Sequence, residues 1–219
     1  MNTQEIRLDL DREKRLGFDE AVFAETKSHA QLIEIVDQVQ KSNGRILFTR
    51  LSAQQMSDLP AETRSRIRYD APSRTGYVGA ERKIGAPLVA VVSGGSSDAT
   101  VCYEATKTLE YYGVGTEVYI DVGVAGISRL LTKIDRIREF PIVISVAGME
   151  GALHSVLGGL VSSVVIAVPT SVGYGVSSGG HAALTSALAS CAPGIVTTNI
   201  DNGYGAACAA LRILGTKMK

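Results

Sequence analysis

The chain has 219 residues, with 22 basic side chains against 22 acidic ones. That balance leaves no global field to draw it onto a polyanion, which argues against nucleic-acid binding by bulk charge. With 45% hydrophobic and 20% charged residues, a chain of this length buries roughly 70% of its extended surface, which excludes disorder.

Of the charged residues, 27 fall in the first 87 positions and 17 in the remaining 132, while the glycines divide 5 to 18. Such a change of texture marks two structural units. The Gly-, Pro- and charge-bearing stretch 79–87 reads as the linker, giving a small α/β domain over 1–86 and a larger domain over 87–219.

The first domain opens with a short strand near 21–24. A helix follows, capped by Ser28, with Leu32, Ile35, Val36 and Val39 at helical spacing. Asn43-Gly44 leads into a strand at Ile46, Leu47 and Phe48. Ser52 caps a short helix over 52–59, and extended segments lie near Ile67 and Tyr77.

In the second domain, strands are expected at 88–92, 117–121, 142–146, 164–168 and 195–198. Helical patterns alternate with them: Val101, Ala105, Leu109 and Tyr112, then Ile127, Leu130, Leu131, Ile134 and Ile137. Runs without alternation, such as Val89-Ala90-Val91-Val92, suit strands covered on both faces. The expected fold is α/β, a doubly wound parallel sheet between two helical layers.

In such sheets the functional crevice lies beyond the carboxyl ends of the strands, so the segment after each strand carries the chemistry. After the first comes Ser93-Gly94-Gly95-Ser96-Ser97-Asp98, whose glycines and hydroxyls suit phosphate contact, or whose Asp98 or Ser97 caps a helix. After the third, Gly148-Met149-Glu150-Gly151 sets an isolated carboxylate at a helix start. Glu150 is a base, a metal ligand, or a partner of the helix dipole. After the fourth, a loop of glycines and hydroxyls, Pro169 to Gly180, includes Thr170, Ser171, Tyr174 and Gly175; loops this long usually have a function. Asn199, Asp201 and Asn202 follow the last strand and either bind substrate or cap the final helix.

Cys102 and Cys208 sit within amphipathic helices as core packers. Cys191 falls at a helix end beside the crevice. The partial negative charge there disfavours a thiolate, so a nucleophilic Cys191 needs a cationic substrate to supply positive charge. His29, His154 and His181 are scattered without metal-ligand spacing. Three cysteines cannot all pair, and charges occupy the opening residues where a secretory signal has an apolar stretch, so a cytoplasmic location is expected. The uncharged run 151–200 is broken by Pro169, Pro193, His154 and His181, which argues against a membrane span.

Ser93-Gly-Gly-Ser-Ser-Asp98, Asp121-Val-Gly-Val-Ala-Gly126, Val146-Ala-Gly-Met-Glu-Gly-Ala152, Val168-Pro-Thr-Ser-Val-Gly-Tyr-Gly175, Ser190-Cys-Ala192 and Asn199-Ile-Asp-Asn-Gly203 together resemble the LarB family, relatives of the PurE aminoimidazole ribonucleotide carboxylases. The resemblance runs from about Pro87 onward and is looser at Asp11-Arg12, Arg15 and Gly17-Phe18. It implies a PurE-like three-layer fold and a homo-octamer. It further implies carboxylation by CO2 of the pyridinium ring of nicotinic acid adenine dinucleotide. Phosphoanhydride cleavage then releases AMP and leaves pyridinium-3,5-biscarboxylic acid mononucleotide, the precursor of a nickel-pincer cofactor.

By the same resemblance Cys191 is the nucleophile. Its thiolate adds para to the ring nitrogen, stabilised by the ring's positive charge, and the resulting enamine attacks CO2. Ser97 and Asp98 line the carboxylation site, and Glu150 assists water attack, with a magnesium ion as its expected partner. The chain departs from the family at Ile127-Ser128, where a His usually stands, and at His154 and His181, where apolar residues or proline are expected. The purine enzymes carry Ser-Ala-His-Arg-Thr-Pro where this chain has Gly123-Val-Ala-Gly126, so the imidazole and arginine of an aminoimidazole ribonucleotide carboxylase or mutase are missing from that loop. A nucleotide-binding module without catalysis is the third reading.

Overall fold

A computed structural model describes residues 6–9 and 11–215; part of the charged opening segment, residues 1–5 and 10, lies outside them. The chain divides into two units, the first running to Arg82 and the second beginning at Lys83. Residues 81–85 adopt no regular secondary structure.

In the first unit, strand β1 (Ala21–Phe23) pairs in parallel with β2 (Ile46–Thr49) through helix α2 (His29–Lys41), which follows the short α1 (Arg12–Leu16). The antiparallel β3 (Arg68–Asp70) and β4 (Thr75–Val78) complete a sheet of order β1-β2-β4-β3. Helix α2 begins where Ser28 Oγ accepts the Gln31 N–H (3.2 Å) while Gln31 Oε1 accepts the Ser28 N–H (3.0 Å). Ser52 and Gln55 repeat this reciprocal cap at α3 (Ala53–Asp58), satisfying amides that a helix start leaves unpaired. The core joins Leu32, Ile35, Val36 and Val39 of α2 to Ile46 and Phe48. Two elements are absent from the sequence expectation: α1 and α4 (Ala61–Arg66), each so short that no apolar period develops.

The second unit is a five-stranded parallel sheet of β5 (Pro87–Ser93), β6 (Gly115–Tyr119), β7 (Ile142–Ala147), β8 (Val164–Pro169) and β9 (Val196–Thr197), in the order β6-β5-β7-β8-β9. Helices α5 (Ala99–Tyr111) and α10 (Gly203–Ile213) pack together. Opposite strand residues Ala90, Val92 and Val143 pack with Leu130, Ile134, Ile137, Leu153 and Leu157 of α6 (Ile127–Leu131), α7 (Ile134–Ile137) and α8 (Ala152–Leu160). Helix α9 (His181–Leu188) lies against α8 and β8. The fold is the doubly wound α/β architecture expected from the sequence.

The differences have local causes. The expected helix through 127–137 breaks at Thr132 and Lys133, so Leu130, Ile134 and Ile137 are buried whereas Ile127 and Leu131 stay exposed. Asp121, expected at the end of a strand, instead takes a left-handed conformation (φ 62°), and β6 ends at Tyr119. The last strand shrinks to two residues. Cys102 is fully buried, but Cys208, expected in the core, is only half-buried. Among the described residues no helix is long and apolar enough to cross a membrane.

Candidate functional site

The chain leaves β5 toward β6 on one side and returns to β7 on the other, so the loops following β5 and β7 diverge at their shared carboxyl edge. This is the switch point at which open parallel sheets form a crevice. A cavity of about 320 Å³ occupies it. Its walls are Gly94, Gly95, Ser97 and Asp98 after β5; Gly123, Val124, Ala125 and Arg129 after β6; Ala147, Gly148, Met149 and Glu150 after β7; Ala152 and Leu153 of α8; and Val172 after β8. The walls meet closely. A Cβ on Gly148 would lie 2.1 Å from the Val172 carbonyl oxygen, and one on Gly123 would lie 2.4 Å from that of Gly94, so larger residues would force these loops apart.

Asp98 is the buried acid of this cavity, only 4% exposed. Its Oδ2 accepts the Gly95 N–H (2.8 Å), and its Oδ1 accepts the hydroxyl of Thr170 (2.6 Å), 72 residues away in sequence. Burial pushes its pKa above the usual carboxyl range, outweighing the donors from Thr170, Gly95 and Gly148, and the negative charge of Asp201 pushes the same way. A carboxyl that holds its proton to higher pH in a cleft is suited to taking and returning one.

Of the residues singled out from sequence, Gly94, Gly95, Ser97, Asp98, Gly148, Met149 and Glu150 line the cavity together. Ser93 is buried beneath the loop. It donates to the Gly95 carbonyl (3.0 Å) and accepts the Asp121 N–H (3.0 Å), so it fastens two loops instead of facing a ligand. Thr170 stands behind Asp98, also fully buried. Asp201 accepts the Ser171 N–H (2.8 Å) and anchors the loop after β8, Asn202 caps α10 through the Gly205 N–H (2.7 Å), and Asn199 accepts the Ile200 N–H (2.9 Å). Ser96, Tyr174 and Gly175 are exposed and do not line the cavity.

Cys191 is exposed on the turn after α9 and is not part of the lining of this chain's cavity. The turn is held to α8 by a hydrogen bond between Ser190 and Ser155 (2.7 Å), and Ser190 Oγ also accepts the Ala192 N–H (3.2 Å).

The sequence alone does not single out Arg129, Val124, Ala125, Leu153 or Val172. Glycines 123 and 126 are the local sign of a close-packed loop there. Asp121 (φ 62°), Met149 (φ 53°) and Asp201 (φ 55°) all hold left-handed backbones just past β6, β7 and β9.

Among the described residues no three His, Cys, Asp or Glu side chains come together as a metal cluster. Asp98 and Glu150 share the cavity wall, which suits an ion held by one or two carboxylates and substrate phosphates, the usual way magnesium is bound. His154 is fully buried, its Nδ1 2.8 Å from Ser145 Oγ, and burial lowers its pKa to about 4, so the ring is neutral near pH 7.

Residues 2–80 match the LarB/PurE-like N-terminal domain, and residues 88–219 match AIR carboxylase. An uncharacterized protein of Methanocaldococcus jannaschii is 36% identical over 213 residues, covering 93% of this chain and 81% of that protein. The N5-carboxyaminoimidazole ribonucleotide mutase of Pyrococcus horikoshii is 35% identical over 136 residues, covering 60% of this chain and 74% of that enzyme. The crystal structure of Treponema denticola PurE aligns with a TM-score of 0.48 at 21% identity, over 59% of this chain and 80% of that one. With an AIR carboxylase domain over most of its length and a LarB/PurE-like domain before it, the chain belongs to the LarB/PurE-related AIR carboxylase family.

Proposed function

We propose that this protein carboxylates the pyridinium ring of nicotinic acid adenine dinucleotide and then cleaves the phosphoanhydride, giving pyridinium-3,5-biscarboxylic acid mononucleotide and AMP. The observation that carries the reading is the buried carboxyl of Asp98, held by Thr170 and Gly95 at the wall of a 320 Å³ cavity with a second carboxylate, Glu150, nearby. Two carboxyls favour a ring with a permanent positive charge.

The Cys191 thiolate adds to the carbon para to the ring nitrogen, and the electron pair flows through the ring to make the carbon beta to nitrogen nucleophilic. That carbon bonds to CO2. Asp98 takes the ring proton, and the C–S bond breaks with the thiolate leaving, which restores aromaticity. Ser97 orients the substrate, while the Gly94 and Gly95 amides, given to the Val146 carbonyl (2.9 Å) and to Asp98 (2.8 Å), hold the loop in place. Glu150 orients the water that cleaves the phosphoanhydride, with magnesium supplying charge neutralisation at the phosphates.

Because Cys191 lies outside its own chain's cavity lining, the proposal includes assembly as a homo-octamer that brings this exposed thiol to a cavity. Tyr174 (77% exposed), Val176 (97%) and Leu188 (70%) precede Cys191 in the chain and give apolar surface suited to subunit contact.

The test is product analysis by mass spectrometry after incubation with nicotinic acid adenine dinucleotide, bicarbonate and magnesium, paired with intact-protein mass. A carboxylated pyridinium mononucleotide and a protein adduct lost in Cys191→Ala are expected; absence of that product from folded wild-type protein refutes the reaction. The Pyrococcus relative favours a second reading, an aminoimidazole ribonucleotide mutase. None of the three histidines, all among the described residues, lines the cavity, and conversion of carboxyaminoimidazole ribonucleotide in the same assay would establish that reading instead. Binding of the dinucleotide without turnover would leave a nucleotide-binding module.

A further inference from the structure

The first unit also gathers chemistry at one edge of its sheet. Phe23 ends β1 opposite Thr49, the last residue of β2, and Arg50 follows at once. Because β4 runs antiparallel to β2, the turn 71–74 that feeds it lies at the same edge, where the Leu51 N–H donates to the Arg74 carbonyl (2.8 Å). Gln55 draws in the loop after β1, its Nε2 donating to the carbonyls of Ala24 (2.8 Å) and Lys27 (3.3 Å). Three loops distant in sequence are thereby fixed side by side.

Their side chains form one cluster. The Glu25 carboxylate faces two guanidiniums, with Oε2 3.8 Å from Arg50 Nη1 and Oε1 3.6 Å from Arg74 Nη2. Arg74 Nη2 also donates to the Arg50 carbonyl (3.5 Å), which keeps the two arginines together. Both distances to Glu25 exceed the about 2.7–2.9 Å of a charge-assisted hydrogen bond. Elsewhere in this unit Arg15 and Arg66 reach carboxylates at 2.6 and 3.0 Å. One carboxylate thus serves two cations here, and both at a distance. A phosphate, with more charge and a third acceptor oxygen, is better suited to bridge the pair.

An aromatic plate adjoins these charges. Phe23 is 44% exposed, and the Arg50 guanidinium lies 5.5 Å from its ring centroid. An exposed ring beside paired guanidiniums suits a flat base and its phosphate together, the one by stacking and the other by charge. We infer that the first unit carries a nucleotide-binding site of its own, in which Arg50 and Arg74 grip the phosphate, Phe23 stacks the base, and Glu25 occupies the phosphate position when no ligand is bound. The site lies wholly within the first unit and does not depend on the reaction proposed above.

The experiment photolyses 8-azido-AMP on the full chain and maps the adduct by peptide mass. Labelling of the tryptic peptide 16–27, which carries Phe23 and Glu25, is expected. The concentration of AMP, adenosine or inorganic phosphate that halves this labelling then gives an affinity for this site alone, and AMP should protect best. Arg74→Gln should weaken protection by AMP about 10- to 100-fold, the usual worth of a hydrogen bond to a charged group, and leave adenosine unchanged. Phe23→Ala should weaken AMP and adenosine alike, by about 5- to 100-fold, the range for a base stacked on an aromatic ring. Glu25→Gln removes the internal competitor and should tighten AMP a few-fold, which loss of a merely structural ion pair would not do. Thermal melts confirm that each variant folds.

Label confined to peptides of the second unit, AMP protection unmoved by Arg74→Gln, or weaker AMP protection in Glu25→Gln would each overturn the inference. Inorganic phosphate protecting as well as AMP would reduce the site to a free-phosphate site, and protection by oligoadenylate but not by AMP would make it a nucleic-acid surface; both outcomes refute a nucleotide site. The label and the carboxylated product are read separately. Labelling without product leaves this site standing and removes the proposed reaction, and product without labelling does the reverse.

Discussion

Both units carry surface ion pairs, but they differ in how charge is distributed along the chain. In the first, charges are plentiful and spent on one another: Asp19, nearly buried, lies 3.4 Å from Arg45 and 3.9 Å from Arg82, Arg82 also bridges to Glu13 (2.5 Å), and Arg66 reaches Asp37 (3.0 Å). In the second, 50 consecutive residues from Gly151 to Ile200 carry none, and at the sheet's carboxyl edge the charges are few, with Arg129 paired to Asp121. Asp98 is buried at the cavity, Arg129 lines it, and Asp201 secures a loop. The contrast teaches where to look for chemistry. A charge among many is usually solvated or paired for modest gain, whereas a charge kept where others are excluded needs a reason.

The sharpest way to break this comparison is at Cys191. Cys191→Ala should lower turnover by at least about a thousandfold while leaving dinucleotide binding within a few-fold, measured by product formation and calorimetry. If turnover survives, the nucleophile lies elsewhere.

Asp98 comes next. Asp98→Asn should cost about 10²- to 10⁴-fold in turnover, the range for a positioned acid–base group. Thr170→Val offers a subtler probe. The Thr170 hydroxyl stabilises the ionised carboxyl, so its loss raises the Asp98 pKa further, and the rising limb of the pH–rate profile should move to higher pH. A limb that stays fixed would detach Asp98 from proton transfer.

His154 tests the dry interior of the second unit. Its pKa is lowered from 6.5 to about 4 on folding, so the unfolded chain binds the extra proton first. The stability this group contributes is complete above its unfolded pKa and is lost as pH falls toward about 4. A difference of that size corresponds to roughly 3 kcal/mol at most. Urea midpoints should fall across that window in the wild type and flatten in His154→Leu. The smallest effect belongs to the first unit, where Ser28→Ala should cost about 1 kcal/mol by removing one helix cap, read as a lower melting temperature.

Much of the architecture was legible because its signals are local. Ser28 and Ser52 announce helix starts by side-chain chemistry that needs only three further residues. The runs at 88–92, 142–146 and 164–168 are continuous enough in apolar residues to require two covering layers. The helix through 127–137 misled because its spacing fits one continuous face, while the fold turns the chain at Thr132 and Lys133 and leaves Ile127 and Leu131 outside the core. At the site, the glycine-rich segments after β5 and β7 were visible as loops with chemistry. Arg129 was not, since its place in the cavity wall depends on a guanidinium folding back across Gly126, a contact without periodicity.

By itself the sequence determined which segments are strands, which hydroxyls start helices and which loops are too rich in glycine and too poor in charge to be ordinary connections, because propensity, capping and burial patterns act over a few neighbours. Only the tertiary structure decided that Thr170 reaches Asp98 across 72 residues, that Ser93 serves the loops and not a ligand, and that Cys191 stands apart from its own chain's cavity. Those outcomes follow from the order in which the strands lie side by side, and strand order is set by the packing of whole layers.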